Sequence, residues 1–162
     1  VDVPTDVHDG NVWGDDCLDF KLSPDGGGTV YQFLANANGA KQDTLNGGGQ
    51  WDGEWTCEAT IGDDAYVLEI AIPLSTIGVN ELQPGMGLLF TCGRNDRANR
   101  QLITAFGEKY GDVTNAAKLI LGTEEEHAAL VSVLPRDAAP ALYLDRDVYP
   151  GTLKPSSRAA LR

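Results

Sequence analysis

The sequence predicts an all-β protein, an antiparallel β-sandwich of the immunoglobulin or jelly-roll type with long loops and an extended C-terminal tail. Its 162 residues suit one domain followed by a tail, since domains commonly span about 100–200 residues. The chain holds 19 Gly and 8 Pro with short segments between them, which is typical of strands joined by tight turns. Several of these segments alternate apolar and polar side chains, as half-buried strands do.

Residues 16–22 and 29–36 are the clearest predicted strands, and a Pro- and Gly-rich turn at 24–28 separates them. Each strand has one apolar face, formed by Leu18, Phe20 and Leu22 in the first and by Tyr31, Phe33 and Ala35 in the second. The opposite faces are mixed and carry Cys17, Asp19, Lys21, Gln32, Leu34 and Asn36. We therefore expect neighbouring strands with a core on one side and polar groups on the other.

The remainder of the first 122 residues also predicts short elements. The polar stretch 36–53 indicates a long loop, and residues 55–61 and 66–72 indicate a hairpin around a turn of Asp and Gly. A helical turn is expected at 75–78, and further strands at 87–92, 101–106 and 118–121. Prolines at 135, 140, 150 and 155 interrupt the sequence beyond them. The chain therefore divides into a sandwich domain, 1–122, and a linker with an extended tail, 123–162.

The chain is strongly acidic, with 24 Asp and Glu against 12 Lys and Arg and a net charge of −12. Nucleic-acid binding is not expected, because affinity for phosphates needs clustered basic side chains and here they are scattered. No window reaches the roughly 18–20 apolar residues of a membrane helix, so no membrane span is expected. The acidic balance suits solubility or the binding of divalent cations.

The cysteines, Cys17, Cys57 and Cys92, are odd in number and lack the spacing of a metal site. Three unpaired core thiols and one disulfide with a free thiol are both compatible with the sequence. Common catalytic motifs are missing, so we expect a non-catalytic protein. Asp19 and Glu69 could be imagined as a glycosidase pair, but Glu69 alternates with Ile70 and Ile72 and indicates a structural or solvent-facing residue.

Three segments in order carry a family resemblance: 11–20 (NVWGDDCLDF), 31–40 (YQFLANANGA) and 66–78 (YVLEIAIPLSTIG). Together they resemble family 9 carbohydrate-binding modules, which are β-sandwiches related to the DOMON group. The resemblance covers residues 11–122. It implies a carbohydrate ligand, and it implies a secreted or cell-surface location because such modules are usually attached to secreted polysaccharide-degrading enzymes.

The resemblance also implies a sugar site. Positions matching Trp13 and Asp19 line the site in the family, and a second aromatic that opposes the first falls near Tyr110. Physical reasoning adds Gln32 and Asn36, because a sugar needs an aromatic plate for its C–H face and planar hydrogen-bonding groups for its hydroxyls. The family's strand arginine is replaced here by Leu34, and Arg94 is a candidate substitute for that guanidinium.

Structural calcium is a further implication of the resemblance, since acidic loops can hold it in this family. Asp15 and Asp16 are the predicted ligands, with oxygens of the 36–46 loop as additional donors. The remaining tryptophans, Trp51 and Trp55, flank an Asp-Gly turn and are expected to pack under a loop. Trp13 is open to either interpretation, as a stacking plate or as a packed side chain.

Family 9 modules usually have further strands before the Trp13 motif, so an edge of the sandwich needs cover. Residues absent from this chain, a rearranged tail, or a strand from another molecule would each provide it. The tail has a β-prone segment whose expected assembly residues are Leu142, Tyr143, Leu144 and Val148. An alternative function is therefore a self-assembling extracellular structural subunit, whose identical copies donate strands head to tail. The acidic N-terminal region and the basic tail fit such contacts.

Overall fold

A seven-stranded sheet forms the larger layer of the fold, with strand order β3-β2-β1-β6-β8-β9 and β7 pairing with β6 as well. The computed structural model describes residues 4, 6–63, 65–81, 86–97, 99, 101–104, 113, 116–122 and 142–145. The strands of this sheet are β1 (Cys17–Ser23), β2 (Tyr31–Asn36), β3 (Lys41–Leu45), β6 (Gly87–Asp96), β7 (Gln101–Thr104), β8 (Ala117–Gly122) and β9 (Leu142–Asp145). All their pairings are antiparallel except β8 with β9. The predicted all-β fold is confirmed.

The smaller layer is the predicted hairpin, β4 (Thr56–Ile61) and β5 (Tyr66–Ala71). Its alternate residues Cys57, Leu68 and Ile70 pack against the core of the large sheet, while the residues between them are exposed. Glu58 and Glu69 lie directly opposite each other on that exposed face. A short 3₁₀ helix, Leu74–Ile77, follows the hairpin where the sequence predicts a helical turn.

An aromatic cluster fills the space between the two layers. Phe20 of β1 stacks on Phe33 of β2 with ring centroids 5.3 Å apart. Trp55 meets the edge of Phe33 at 5.3 Å, and Trp51 meets it at 5.8 Å. Trp55 is 2% exposed, which confirms the prediction that this tryptophan is packed, although it packs in the core between the layers and not under a loop.

The segment 36–53 is not one long loop as predicted, because β3 forms within it and extends the sheet beyond β2. The strand is polar apart from Leu45, so the sequence gives little sign of it. Its stability comes from pairing with β2 and from Asp43, which is buried on the core side. The Asp43 carboxylate accepts hydrogen bonds from the Gly53 backbone N–H at 3.0 Å and from Trp55 Nε1 at 2.7 Å.

The tail also contributes to the sheet. Residues 142–145 form β9, which pairs in parallel with β8 in the register Leu119↔Leu142 to Gly122↔Asp145. Leu142, Tyr143 and Leu144 therefore lie in a strand, as the sequence predicts, but within their own chain the strand covers the edge of β8. The fourth predicted assembly residue, Val148, lies outside the described residues.

All three cysteines are free thiols in this structure, so the alternative with a disulfide is not observed. Burial, together with the carboxylates of Asp19 and Asp15, raises the pKa of Cys17 to about 12. Burial likewise raises the pKa of Cys92 to about 11. Both thiols are therefore protonated and unreactive at neutral pH. None of the helices in the described part of the chain has the length and hydropathy of a membrane span.

We expect Asp43→Ala to lower the free energy of unfolding by about 3 kcal/mol, because the buried Trp55 Nε1–H and Gly53 N–H both lose a charged acceptor. Urea denaturation measures the change. Asp52→Ala is the matched control, since this exposed carboxylate has only a 3.4 Å contact with His8 and its removal should cost less than about 0.5 kcal/mol. Equal stability of the two variants would contradict the anchoring role of Asp43.

Candidate functional site

The face of the large sheet that points away from the hairpin carries a row of polar side chains. Strand alternation places Asp19 and Lys21 of β1 there, next to Leu34 and Gln32 of β2 in the backbone register. Gln32 Nε2 donates a hydrogen bond to Asp19 Oδ2 at 2.7 Å, and Thr44 Oγ1 donates one to Gln32 Oε1 at 3.3 Å. Two of the predicted sugar-binding residues, Asp19 and Gln32, are therefore joined directly.

Asp19 is fully buried, at 0% exposure, and only one of its carboxylate oxygens is satisfied. Its Oδ1 has no hydrogen-bond partner among the described residues. Burial raises the pKa of Asp19 to about 6, although Lys21 and the hydrogen bond from Gln32 oppose this shift. The carboxyl group is thus poised to gain or lose a proton just below neutral pH.

Asn36 supports the backbone turn after β2. Its Nδ2 donates to Asp15 Oδ2 at 2.8 Å, and its Oδ1 accepts from the backbone N–H groups of Asn38 and Ala40, each at 3.0 Å. The side chain is fully buried, so it presents no surface to a ligand in this structure. Its observed contacts are those of a turn-forming residue, because an Asn carbonyl that accepts from following N–H groups stabilises such turns.

Trp13 lies on a 3₁₀ helix, Val12–Gly14, at the end of the sheet where β1 begins. Val12 is fully buried, and Asn95 Nδ2 of β6 donates to the Trp13 backbone oxygen at 2.6 Å. The Trp13 side chain is nevertheless 41% exposed. The Trp13 side chain is therefore partly open to solvent on a backbone that is held in place, and stacking stays a prediction.

The end of β6 lies against the Trp13 segment. Asp16 Oδ1 accepts a hydrogen bond from the Arg97 backbone N–H at 2.6 Å. Asp96 accepts from the backbone and the side chain of Asn99, at 3.1 and 3.0 Å. We call this part of the surface the Trp13 corner; its exposed residues are Asn11, Trp13, Arg97 and Asn99.

Three of these residues, Asn11, Arg97 and Asn99, are not among the sugar-binding residues that the sequence predicts. A Cβ atom on Gly14 would lie only 2.5 Å from Asn11 Nδ2, so the Asn11 amide rests against the glycine that follows Trp13. The sequence signal for Asn11 is its place in the Asn-Val-Trp-Gly motif. Arg97 comes to the site through a contact across the fold, its backbone N–H bonded to Asp16, which no local pattern indicates, and Asn99 follows it by its local hydrogen bonds to Asp96.

Arg94 does not join Asp19 and Gln32 on the polar face. Its register opposite Leu18 places it on the hairpin side of the sheet. The side chain is 45% exposed, and its Nη2 lies 3.7 Å from Asp96 Oδ2. Burial raises the pKa of Tyr66 on the hairpin, and the nearby Arg94 charge opposes that shift. The last predicted sugar-binding residue, Tyr110, lies outside the described residues.

The predicted calcium ligands Asp15 and Asp16 are buried, and each uses a carboxylate oxygen to accept a hydrogen bond from within the chain. They do not gather with a third acidic, His or Cys side chain among the described residues. Their geometry gives no support to a calcium site, which stays a prediction. His8, Asp9 and Asp43 do lie close together, but both Asp43 oxygens are already hydrogen-bonded to N–H groups.

The imagined glycosidase pair is not assembled. Asp19 lies on the face of the large sheet that points away from the hairpin, whereas Glu69 is on the outer face of the hairpin itself. Both layers of the sandwich therefore separate the two carboxylates. A retaining pair would be only about 5–5.5 Å apart, and an inverting pair about 6.5–9.5 Å.

Comparison with known proteins shows similarity in fold. No protein-family model matches the chain, and no curated protein matches it. The chain is similar to a Bacteroides uniformis protein whose crystal structure is described as that of a "putative carbohydrate-binding protein", with a TM-score of 0.57 and 14% sequence identity. The similarity covers 74% of this chain and 67% of that chain. At this identity the similarity shows a common fold.

We expect Asp19 to make stability fall as the pH rises from about 4 to about 6. Its pKa is higher in the folded chain, about 6, than the ordinary 3.8, so the folded state holds the proton more tightly over this interval. The ionised, buried form above pH 6 costs up to about 3 kcal/mol. Asp19→Asn should remove this fall, and urea denaturation at pH 4 and pH 8 measures it.

Asp25→Asn is the control for this experiment. Asp25 is exposed, and hydrogen bonds from Thr29 hold its pKa at about 2, so it stays ionised at both pH values. Its substitution should lower stability equally at pH 4 and pH 8. An Asp19→Asn variant whose stability changes with pH as the parent's does would contradict the assignment.

Proposed function

We propose that this chain is a non-catalytic carbohydrate-binding module whose ligand stacks on Trp13. The observation that carries the proposal is the exposed Trp13 ring on a backbone fixed by buried Val12 and by the Asn95 hydrogen bond. The common fold with a protein described as a "putative carbohydrate-binding protein" supports it. So does the resemblance of residues 11–122 to family 9 modules, and a secreted location is part of the same proposal.

The chemistry of the Trp13 corner suits a sugar. An aromatic face packs against the apolar C–H face of a pyranose ring, and planar amide and guanidinium groups are well shaped for its hydroxyls. Asn11 lies beside Gly14, the residue that follows Trp13, and in this proposal its amide is a hydrogen-bonding group for the ligand. Since Asn95 and Asp16 tie the two segments together, little ordering is needed when a ligand binds.

Asp19 and Gln32 have a supporting role in this proposal. Asp19 is buried, so it acts by holding the Gln32 amide through the 2.7 Å hydrogen bond. Gln32 is half-buried and lies on the polar face that leads from the Trp13 corner along β2. A longer glycan would follow this face, with Gln32 as the next hydrogen-bonding group. Tyr110 as an opposing aromatic and calcium at Asp15 and Asp16 stay predictions of the resemblance.

We expect Trp13→Ala to weaken glycan binding at least about tenfold, because the stacking surface is lost while the fold is kept. Trp13→Phe should retain part of the affinity, since it keeps an aromatic plate. Screening on a glycan array followed by calorimetry with the best ligand measures the loss, and circular dichroism verifies the fold.

Val67→Ala is the matched control for this experiment. Val67 is an apolar side chain that is 59% exposed on the outer face of the hairpin, which belongs to a different sheet from β1 and β6. Its truncation should leave binding unchanged. If Trp13→Ala and the parent bind every glycan equally, the sugar site is not at Trp13.

A second candidate function, assembly by strand donation, is favoured by one observation: the tail segment 142–145 adds to the edge of β8. A second copy's β9 would make the same backbone hydrogen bonds, because its sequence is identical. Pairing within one chain has an advantage, because two covalently connected strands meet at an effective concentration on the order of millimolar. Exchange between copies should therefore grow with concentration towards that range.

Cross-linking distinguishes exchange from cis pairing. Ile120 and Tyr143 are paired in the register, so Ile120→Cys and Tyr143→Cys chains are mixed, unfolded, refolded together and treated with a short bis-maleimide. Assembly predicts a covalent heterodimer whose yield rises with protein concentration and is low when either variant is mixed with the parent. The double variant, with Ile120→Cys and Tyr143→Cys in one chain, measures cross-linking of β9 to β8 within the same chain. If the double variant cross-links within itself while the mixture gives no heterodimer at any concentration, strand donation is excluded.

A further inference from the structure

The sequence contains two Asn-Gly pairs, Asn38-Gly39 and Asn46-Gly47, and both asparagines are exposed. Asparagine followed by glycine is prone to deamidation, because the glycine nitrogen can attack the side-chain amide carbon without hindrance from a Cβ atom. Folding changes this reactivity, since the attacking nitrogen must be free and the amide must be accessible. The two pairs differ in the hydrogen bonds that these groups make.

The attacking nitrogen is engaged in one pair and open in the other. Gly39 N–H donates to the Asn36 backbone oxygen at 3.0 Å, within the turn after β2. Gly47 N–H has no hydrogen-bond partner among the described residues. A Cβ atom placed on Gly47 would have no neighbour within 4 Å, so the space around this residue is open. The Gly47 nitrogen is therefore available to react, whereas the Gly39 nitrogen must first leave a hydrogen bond.

The Asn46 amide is the group that would be attacked, and it is already polarised. Val30 N–H donates to Asn46 Oδ1 at 2.8 Å, and Asn46 N–H donates to the Val30 backbone oxygen at 2.8 Å. When a nitrogen adds to an amide carbon, negative charge develops on the amide oxygen. An N–H group that already points at this oxygen stabilises the charge, as the donors of an oxyanion hole do.

The Asn46-Gly47 pair forms the centre of a tight turn. Gly48 N–H donates to the Leu45 backbone oxygen at 2.9 Å, and both central residues have positive φ, 51° and 74°. This is the pattern of a type I′ turn. Residues 46–50 are all exposed, so the turn can rearrange locally without opening the core.

We propose that Asn46 is a site of spontaneous deamidation, at which the Gly47 nitrogen closes a succinimide ring on the Asn46 side chain. The nitrogen loses its proton to a solvent base and forms a bond to Cγ, and the bond from Cγ to Nδ2 breaks with release of ammonia. One water molecule then opens the ring, at Cγ to give aspartate or at the main-chain carbonyl to give isoaspartate. Either product has a carboxylate in place of a neutral amide. Isoaspartate also adds one carbon to the main chain between Leu45 and Gly48, which the paired turn cannot accommodate unchanged.

Peptide mapping tests this inference, which does not depend on the proposed function. Lys41 separates the two asparagines, so trypsin places Asn38 in the peptide 22–41 and Asn46 in the peptide 42–94. The folded parent chain is incubated at mildly alkaline pH, and mass spectrometry with fragmentation follows the exchange of NH2 for OH at each asparagine. We expect Asn46 to convert at least about fivefold faster than Asn38, since the nitrogen after Asn38 must first leave its hydrogen bond. In concentrated urea the two rates should become similar.

Asn46→Gln is the matched variant, because its longer side chain would have to close a larger ring and reacts far more slowly. It should remove the conversion at position 46 and leave Asn38 at the parent's rate, with circular dichroism verifying the fold. Enzymatic methylation of isoaspartyl groups should label the peptide 42–94 of the parent and not that of the variant. Conversion of Asn38 as fast as Asn46 in the folded chain would overturn the inference. So would conversion of Asn46 in urea alone.

Discussion

The burial of β1 on both of its faces is the constraint on which the rest of the structure depends. The strand lies between β2 and β6, with Phe20 and Leu22 in the aromatic core and Cys17 and Asp19 buried on the opposite side. A slip of one residue would place the Asp19 carboxylate among Phe33 and Trp55 and turn Phe20 towards the polar row. Each such exchange is unfavourable, so the register of β1 is fixed, and with it the position of the Trp13 corner at its start.

The fixed register of β1 lowers stability at one position, the buried Asp19 on the polar face of the large sheet. A buried carboxyl group with an unsatisfied oxygen is less stable than an apolar residue of similar size would be. The raised pKa of Asp19 reflects the same unfavourable burial, and it makes the free energy of unfolding decrease as the pH rises. Gln32 donates a hydrogen bond to Asp19, and Thr44 donates one to Gln32. These two bonds connect the side chains of β1, β2 and β3. The carbohydrate site that we propose would need such order, because its affinity would depend on polar groups that are already in place.

Much of the fold was predictable, because the alternation of apolar and polar residues in β1, β2 and the hairpin indicates strands that pack in two layers. β3 was missed because Lys-Gln-Asp-Thr-Leu has one apolar residue, and its strand conformation depends on β2 and on Asp43. The site was less predictable. The Trp13 motif was visible locally, but Asn95 reaches it across 82 residues of sequence and the side of the sheet on which Arg94 lies follows from pairing. Asn36 has the right chemistry for a ligand, yet its side-chain carbonyl stabilises the turn after β2 and its amide donates to Asp15.

The outer face of the hairpin has a consequence for how copies of this molecule can meet. Glu58 and Glu69 are exposed and lie directly opposite each other on β4 and β5, so these two like-charged side chains repel each other across the strands. Two molecules that stacked these faces would confine four carboxylates between them, and the electrostatic free energy would rise further as water was displaced. Stacking of two such faces is therefore electrostatically unfavourable, even though Val67 leaves apolar area on this face of the hairpin.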